Sequence, residues 1–378
     1  MNRTPHHPVR TPARRRLLQA GLAAASVAAL PLPMLARAQA RTFTPAPGAW
    51  KRYALTTTVE VAEPKGGVQL WLPVPDIETG WQRSVDNQWA GNASRADIVT
   101  DPVRGVRMLH AEFAPSVAAP TLTLTSVFET RDRAVDWQRP SGAADSAAAL
   151  KAFTGPTELQ PVDGIVRDTA LKATQGARTD VEKVRMLYDW VVANAFREPT
   201  TRGCGTGDIK AMLETGNLGG KCADLNALFV GLCRSVGVPA RDVYGLRLVP
   251  SAFGYKQLSG NPASLKGAQH CRAEVHLAGH GWVAMDPADV LKVMRHEAKD
   301  WIKDPADPLV APVMAGLYGG WEGNWVGFNT AHDITLPGSA SKGTLPFLMY
   351  PNGENASGAF DSLSPDTFKY TISARVVA

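Results

Sequence analysis

The chain has 378 residues and a formal net charge of +5 at pH 7. The positive charge comes from residues 1–40, which contain six arginines and no lysine, aspartate or glutamate; the rest of the chain has 34 basic and 35 acidic side chains, a formal charge of −1. Without the first segment, no charge pattern favours nucleic acid or an anionic membrane surface as a partner. The 338 residues after residue 40 are enough for about two domains with a core that needs no disulfide framework.

Residues 1–40 have the layout of a cleaved export signal. Three arginines at 14–16 precede an apolar run from 20 to 32, and residues 38–40 match a small-residue cleavage site. The consecutive arginines predict the bacterial twin-arginine route, so we expect a periplasmic or otherwise exported protein. A membrane anchor is the alternative, but the apolar run is short for a span, and no later segment is long enough.

Residues 41–140 are predicted to form a β-sandwich-like domain. Residues 53–61 and 121–125 alternate between apolar or β-branched and polar side chains, and an apolar run at 68–72 ends in prolines. Such short runs, separated by Gly and Pro, are typical of antiparallel strands.

Residues 141–340 have a more helical sequence pattern and are predicted to form a catalytic core. Thr179 and Glu182 form a capping box, followed by an apolar helical face. That face is Val181, Val184, Leu187, Val191 and Ala195. A second, amphipathic helix is predicted to begin at Cys222 and to end at residues 237–239, with a strand from about 241 to 249. A thiol at a helix N-terminus is a thiolate candidate, because unpaired N–H groups and the helix dipole favour the anion.

Residues 270–286 are predicted to form a hairpin that turns near residues 279–281. Only a turn with an odd number of residues keeps one face entirely apolar, and that register puts His270 and Asp286 on the opposite face within hydrogen-bond reach. Cys222, His270 and Asp286 together therefore predict a nucleophile, a general base and the residue that orients the base. His276 is the rival base on the same face, whereas Glu274 is expected to orient the hairpin or pair with Arg272.

The other three cysteines are not needed for this chemistry. Cys233 and Cys271 are predicted to lie in the core, and Cys204, in a glycine-rich loop at 203–207, could be free or disulfide-bonded. We favour no disulfide, no metal site and no cofactor, since no His/Cys cluster has metal-ligand spacing and no phosphate-loop Lys follows the glycines. The aromatic stretch at 321–325 either packs in the core or forms a wall of the active site.

Residues 341–378 are predicted to be a C-terminal extension whose last segment returns as a strand to a sheet, with the N-terminal sheet as a candidate. Its residues 368–373 alternate regularly between apolar and polar side chains.

The segment from about 165 to 290 resembles the transglutaminase-like superfamily of bacterial exported proteins. The resemblance rests on Cys222 followed by Arg234, on Gly-Val-Pro-Ala-Arg at 237–241, and on the segments around His270 and Asp286. It implies an α+β, papain-like fold with the Cys on a central helix packed on an antiparallel sheet. It also implies Cys222 as nucleophile, His270 as general base and acid, and Asp286 as orienter.

The resemblance further implies acyl transfer at an amide. We expect a protein or peptide substrate, with one derived from the cell envelope as a candidate. Hydrolysis by a peptidase or amidase is the favoured outcome; transglutaminase-type cross-linking and a non-catalytic binding module with a relic triad are the alternatives. Two departures affect the pocket. Arg272 stands where the family often has Trp, and residues 251–269 separate the first strand from His270.

Overall fold

A computed structural model describes residues 41–140 and 145–377, so the predicted export signal lies outside the described residues. The first part of the described chain consists of strands, several of which alternate between buried and more exposed side chains. These strands are β1 (Lys51–Glu60), β2 (Val68–Pro73), β3 (Gln82–Gly91), β4 (Arg95–Thr100), β5 (Arg107–Phe113), β6 (Thr121–Thr130) and β7 (Arg133–Ala134).

The middle of the chain is mainly helical and leads to a hairpin. Its elements are α1 (Ala147–Lys151), α2 (Gly164–Ala173), α3 (Asp180–Asn194), β8 (Phe196–Arg197), α4 (Ile209–Thr215), β9 (Gly219–Gly220), α5 (Cys222–Ser235), β10 (Ala240–Arg247), a 3₁₀ turn (Lys256–Leu258), β11 (Gln269–Leu277) and β12 (Gly281–Met285). Short elements follow, namely α6 (Pro287–His296), α7 (Ala311–Gly316), β13 (Gly320–Trp321), β14 (Trp325–Asn329), β15 (Asn352–Asn355), β16 (Gly358–Ala359) and the longer β17 (Lys369–Val377).

Two antiparallel sheets form the β-rich part of the fold. One has the strand order β17-β1-β6-β3 and the other β16-β15-β2-β5-β4. The C-terminal strand β17 pairs with β1 along its length, from Arg52 opposite Val377 to Glu60 opposite Lys369. The end of the chain is thus part of the N-terminal sheet. The predicted domain boundaries near residues 140 and 340 stay predictions.

A third antiparallel sheet, in the order β12-β11-β10-β14, supports the central helix α5. All residues of α5 are buried, because α2, α3, α4 and α6 contact the sides that the sheet leaves free. The prediction of an amphipathic helix was therefore wrong, although the helix begins at Cys222 as expected. This helix on an antiparallel sheet, joined to a β-rich part, is the α+β architecture that the sequence predicts.

The capping box at the start of α3 is present. The Thr179 hydroxyl accepts from the Glu182 N–H at 3.2 Å, and the Glu182 carboxylate accepts from the Thr179 N–H at 3.0 Å. Val181, expected on the buried face of this helix, is 39% exposed because the first turn begins before the helix meets the core. None of the helices in the described ranges is long and apolar enough to cross a membrane.

Candidate active site

Cys222 is the first residue of α5, and its side chain is buried. The two glycines of β9 lead into the helix, and Lys221 is its N-cap residue. The N–H of a first helical residue has no acceptor inside the helix, so the thiol lies at the positive end of the helix dipole.

The glycine-rich loop at residues 203–207 holds the start of α5 in place. The Asp224 carboxylate accepts from the N–H groups of Thr206 and Gly207 at 2.9 Å each, and from that of Lys221 at 3.0 Å. At Gly205, where φ is +91°, a Cβ would collide with this carboxylate. The glycines of this loop therefore leave room for the Asp224 carboxylate, which belongs to the protein itself.

The hairpin brings His270 and Asp286 together. Strands β11 and β12 pair from Ala273 opposite Met285 to Leu277 opposite Gly281, which leaves the odd, three-residue turn that the alternation predicts. In this register the two side chains share a face, and His270 Nε2 lies 2.7 Å from Asp286 Oδ2. The other ring nitrogen of His270, Nδ1, is then the one that can exchange a proton with Cys222.

A second carboxylate, that of Asp289, also faces the imidazole. Its Oδ2 lies 3.2 Å from His270 Nε2, and both its oxygens accept from Arg247 Nη2 at 2.6 Å. Although burial opposes ionisation of Asp289, the charges of Arg247 and His270 hold its pKa well below the usual value. Burial and the charge of Asp289 raise the pKa of Asp286.

The electrostatics favour a thiolate and an imidazolium. Burial lowers the pKa of His270, but the charge of Asp289, together with that of Asp286, outweighs it and raises the pKa to about 9. Hydrogen bonds from Cys204 and Cys271 and the proximity of His270 hold the pKa of Cys222 well below its usual value, against the effect of burial. Opposite shifts of a thiol and a neighbouring imidazole are typical of an activated cysteine.

Three thiols meet at the start of α5. Tyr350 donates its hydroxyl to Cys204 Sγ at 3.1 Å, Cys204 Sγ lies 3.5 Å from the Gln269 carbonyl, and Cys271 Sγ lies 3.9 Å from Met349 Sδ. Cys271 is buried as expected for a core residue, but it also contacts this cluster, which the sequence analysis missed. All four cysteines are free in the described residues.

Two residues that the sequence analysis considered, His276 and Glu274, lie outside this arrangement. The ring of His276 packs edge-on against Trp282 and faces Asp145, with Nε2 3.5 Å from Oδ2. Glu274 does not pair with Arg272; its carboxylate binds Arg133 and Arg241, which reach it from β7 and β10. The hairpin register puts Arg272 beside Asp286 instead, 3.7 Å away.

The aromatic stretch at 321–325 packs in the core. Trp321 and Trp325 are almost fully buried, and Trp325 donates its indole N–H to the His270 carbonyl at 3.0 Å. The guanidinium of Arg272, where the family often has Trp, lies over the Trp325 ring. These aromatic residues therefore support the strand that carries His270.

Sequence reasoning missed Asn226, Arg247 and Asp289. Asn226 donates to Asp286 Oδ1 at 3.2 Å and to the Cys271 carbonyl at 2.9 Å. Helical spacing could have identified two of them, because Asn226 lies four residues after Cys222 and Asp289 lies three residues after Asp286. Arg247 comes from the neighbouring strand β10, and no spacing in the sequence signals its ion pair.

His270, Asp286 and Asp289 form a group of potential metal ligands among the described residues, with ligand atoms within 4.8 Å of one another. Their carboxylate oxygens already accept from Arg247, Asn226, the Asp289 N–H and the imidazole. With buried arginines beside them, these residues do not fit a cation. We infer that the two carboxylates serve to hold the His270 imidazole.

Comparison with known proteins gives one family, one relative and several solved structures that are similar to this chain. The transglutaminase-like superfamily model matches residues 167–287. An uncharacterized protein of Haemophilus influenzae is 33% identical over 336 residues, which cover 84% of this chain and 89% of that protein. A Cytophaga hutchinsonii structure, described provisionally as a cysteine protease, is 15% identical and covers 87% of this chain and 99% of its own, with a TM-score of 0.49. The periplasmic domain of TgpA from Pseudomonas aeruginosa is 14% identical, covering 71% of this chain and 93% of its own, with a TM-score of 0.33.

The chain belongs to the transglutaminase-like superfamily. The matched segment begins in α2 and ends just after Asp286, so it spans Cys222 and His270. Membership of this superfamily supports cysteine-dependent catalysis as the general class of activity.

Proposed function

We propose that this protein is an exported cysteine-dependent enzyme that acts on amide bonds of proteins or peptides through a thioester on Cys222. The observation that carries the proposal is the thiol at a helix N-terminus beside an imidazole that contacts two carboxylates. An envelope-derived substrate and delivery by the predicted twin-arginine signal are part of the proposal.

The proposed reaction uses the thiolate and imidazolium in two stages. The Cys222 sulfur attacks the amide carbon, and the resulting oxyanion can accept from the Cys222 N–H. His270 gives its proton to the leaving amine as the C–N bond breaks, which leaves a thioester. Water then attacks the thioester while His270 takes a proton from it, so a carboxylic acid is released and the pair of Cys222 thiolate and His270 imidazolium is restored.

Hydrolysis is the outcome we favour over cross-linking. A cross-linking enzyme needs a groove that excludes water while an amine reaches the thioester. The tryptophans that could have formed such a groove, Trp321 and Trp325, pack in the core. Polar and charged side chains line the cavity beside Cys222 and His270, which suits water as the acyl acceptor.

Thiol alkylation tests the proposal without a known substrate. Iodoacetamide at pH 7 should label Cys222 ahead of Cys204, Cys233 and Cys271, because an ordinary thiol with a pKa of about 8.5 is mostly protonated there. Peptide mapping by mass spectrometry identifies the labelled residue, and Cys222→Ala is the control. No labelling of Cys222 at neutral pH would favour the alternative of a binding module with a relic triad.

A further inference from the structure

A polar cavity of about 320 Å³ lies beside Cys222 and His270. One of its walls comes from the stretch at 251–269, which precedes β11 and contributes Ser259, Asn261 and Ser264. Arg197, Arg247 and Lys292 line it as well, and none of the described lining residues is Asp or Glu. We propose that this cavity binds a carboxylate of the acyl donor, held by Arg197 and Lys292; this inference rests on the proposed function.

Arg197 is fixed next to the nucleophile by its backbone. Strand β8 runs parallel to β9, with Arg197 opposite Gly220, two residues before Cys222. Its buried Nε has no hydrogen-bond partner among the described residues, and no described carboxylate lies within 4.0 Å of the guanidinium. Arg197 lines the cavity, so its guanidinium, which lacks a carboxylate partner, can bind an anionic ligand through its other N–H groups.

Lys292 reaches the cavity from α6, on the same helical face as Asp289. Its ammonium donates to the Gln257 carbonyl at 2.7 Å and has no carboxylate within 4.0 Å among the described residues. Burial lowers the pKa of Lys292 to about 8, and the positive charge of Arg247 acts in the same direction. A bound carboxylate would supply the counter-ion that Lys292 lacks.

The other charges near the cavity are already matched. Arg247 is bound to Asp289 by two hydrogen bonds of 2.6 Å, and the imidazolium of His270 balances the Cys222 thiolate. The cavity thus offers unmatched positive charge, which is what recognises a carboxylate.

Matched alkylating reagents test the inference on the purified full chain. Iodoacetate carries a carboxylate and iodoacetamide does not, so the ratio of their rate constants at Cys222 measures how the site favours an anion. His270 by itself also favours iodoacetate. The decisive result is therefore how much this ratio changes when Arg197 or Lys292 is replaced. We expect Arg197→Gln and Lys292→Gln to lower it about fivefold each at low salt, as expected for losing one nearby charge in a partly shielded site.

Arg95→Gln is the matched control, because Arg95 is an exposed arginine on β4 that pairs with Asp97. It removes the same charge and should leave the ratio unchanged. If Arg197 and Lys292 only stabilise the thiolate, their substitution slows both reagents equally, and an unchanged ratio would overturn the inference. A Cys222 that reacts with neither reagent at pH 7 contradicts the proposed function instead.

Protection of the unsubstituted protein provides a measurement that does not depend on the folding of variants. N-acetylglycylglycine carries a terminal carboxylate, and N-acetylglutamic acid α-amide carries one on its side chain. At least one should slow alkylation by iodoacetamide at millimolar concentration, and the one that does identifies the source of the carboxylate. The corresponding neutral amides should protect at least tenfold less. Equal protection by acids and amides, or protection by none, would overturn the inference.

Discussion

The Oδ2 atom of Asp289 lies 3.2 Å from Nε2 of His270, so the imidazole faces a second carboxylate besides that of Asp286. The two carboxylates differ in their other partners. Asp286 accepts from Asn226 and from the first turn of α6, whereas both oxygens of Asp289 bind Arg247. Asp286 and Asp289 should therefore contribute different amounts to the free energy of unfolding.

Asp289→Asn is expected to destabilise the fold by about 3 to 5 kcal/mol, because it leaves the buried Arg247 guanidinium without its counter-ion. Asp286→Asn should cost less, about 1 to 2 kcal/mol: it weakens the contacts with His270 and buried Arg272, but Asn caps a helix as well as Asp and the change relieves repulsion between the carboxylates. Urea unfolding followed by circular dichroism gives both values. Equal losses for the two variants would contradict this division of roles.

The charge on His270 should make stability depend on pH. Its pKa is raised from about 6.5 to about 9 in the folded protein, so its contribution is fully present below pH 6.5 and is lost as the pH rises through 9. We expect Cys222→Ala to lose more unfolding free energy between pH 6.5 and pH 9 than Cys222→Ala/His270→Gln. The difference isolates His270, because other titrating groups are common to both proteins. Parallel pH profiles would show that His270 is neutral in the folded state.

Alternation and helix signals in the sequence predicted the elements that carry Cys222, His270 and Asp286. The hairpin register followed from requiring one apolar face, and the same requirement holds in the structure. The sequence could not predict contacts between distant segments, such as Arg247 with Asp289 or Tyr350 with Cys204. Nor could it show that α5 is buried on all sides, because this depends on four helices that approach from different parts of the chain.

Cys222→Ala should abolish amide-directed activity, by a factor of at least about 10³ in kcat, and preserve the fold. The thiol is small, and its replacement leaves the His270 and Asp286 hydrogen bonds in place. Circular dichroism and the unfolding midpoint check the fold, and turnover of an amide substrate checks the activity. Turnover at the rate of the unsubstituted protein would exclude the thioester mechanism.

Export predicts a mature protein that begins at Arg41. N-terminal sequencing of the protein purified from its native host should find cleavage after Ala40, and thiol counting should find Cys222 free. Changing the arginines at 14 and 15 to lysine should retain the precursor inside the cell if the twin-arginine route is used. A mature fraction that still begins at Met1, or Cys222 held in a disulfide, would contradict the prediction.

Cys204 should set the pH range in which Cys222 reacts. The hydrogen bond from Cys204 is the largest of the effects that lower the pKa of Cys222, and Tyr350 in turn donates to the Cys204 sulfur. Cys204→Ala removes a donor to the thiolate, so the midpoint of the alkylation rate against pH should move to higher pH. Cys233→Ala is the control, because Cys233 lies three turns further along α5. If both variants leave the midpoint where it is, Cys271, His270 and the helix dipole stabilise the thiolate without Cys204.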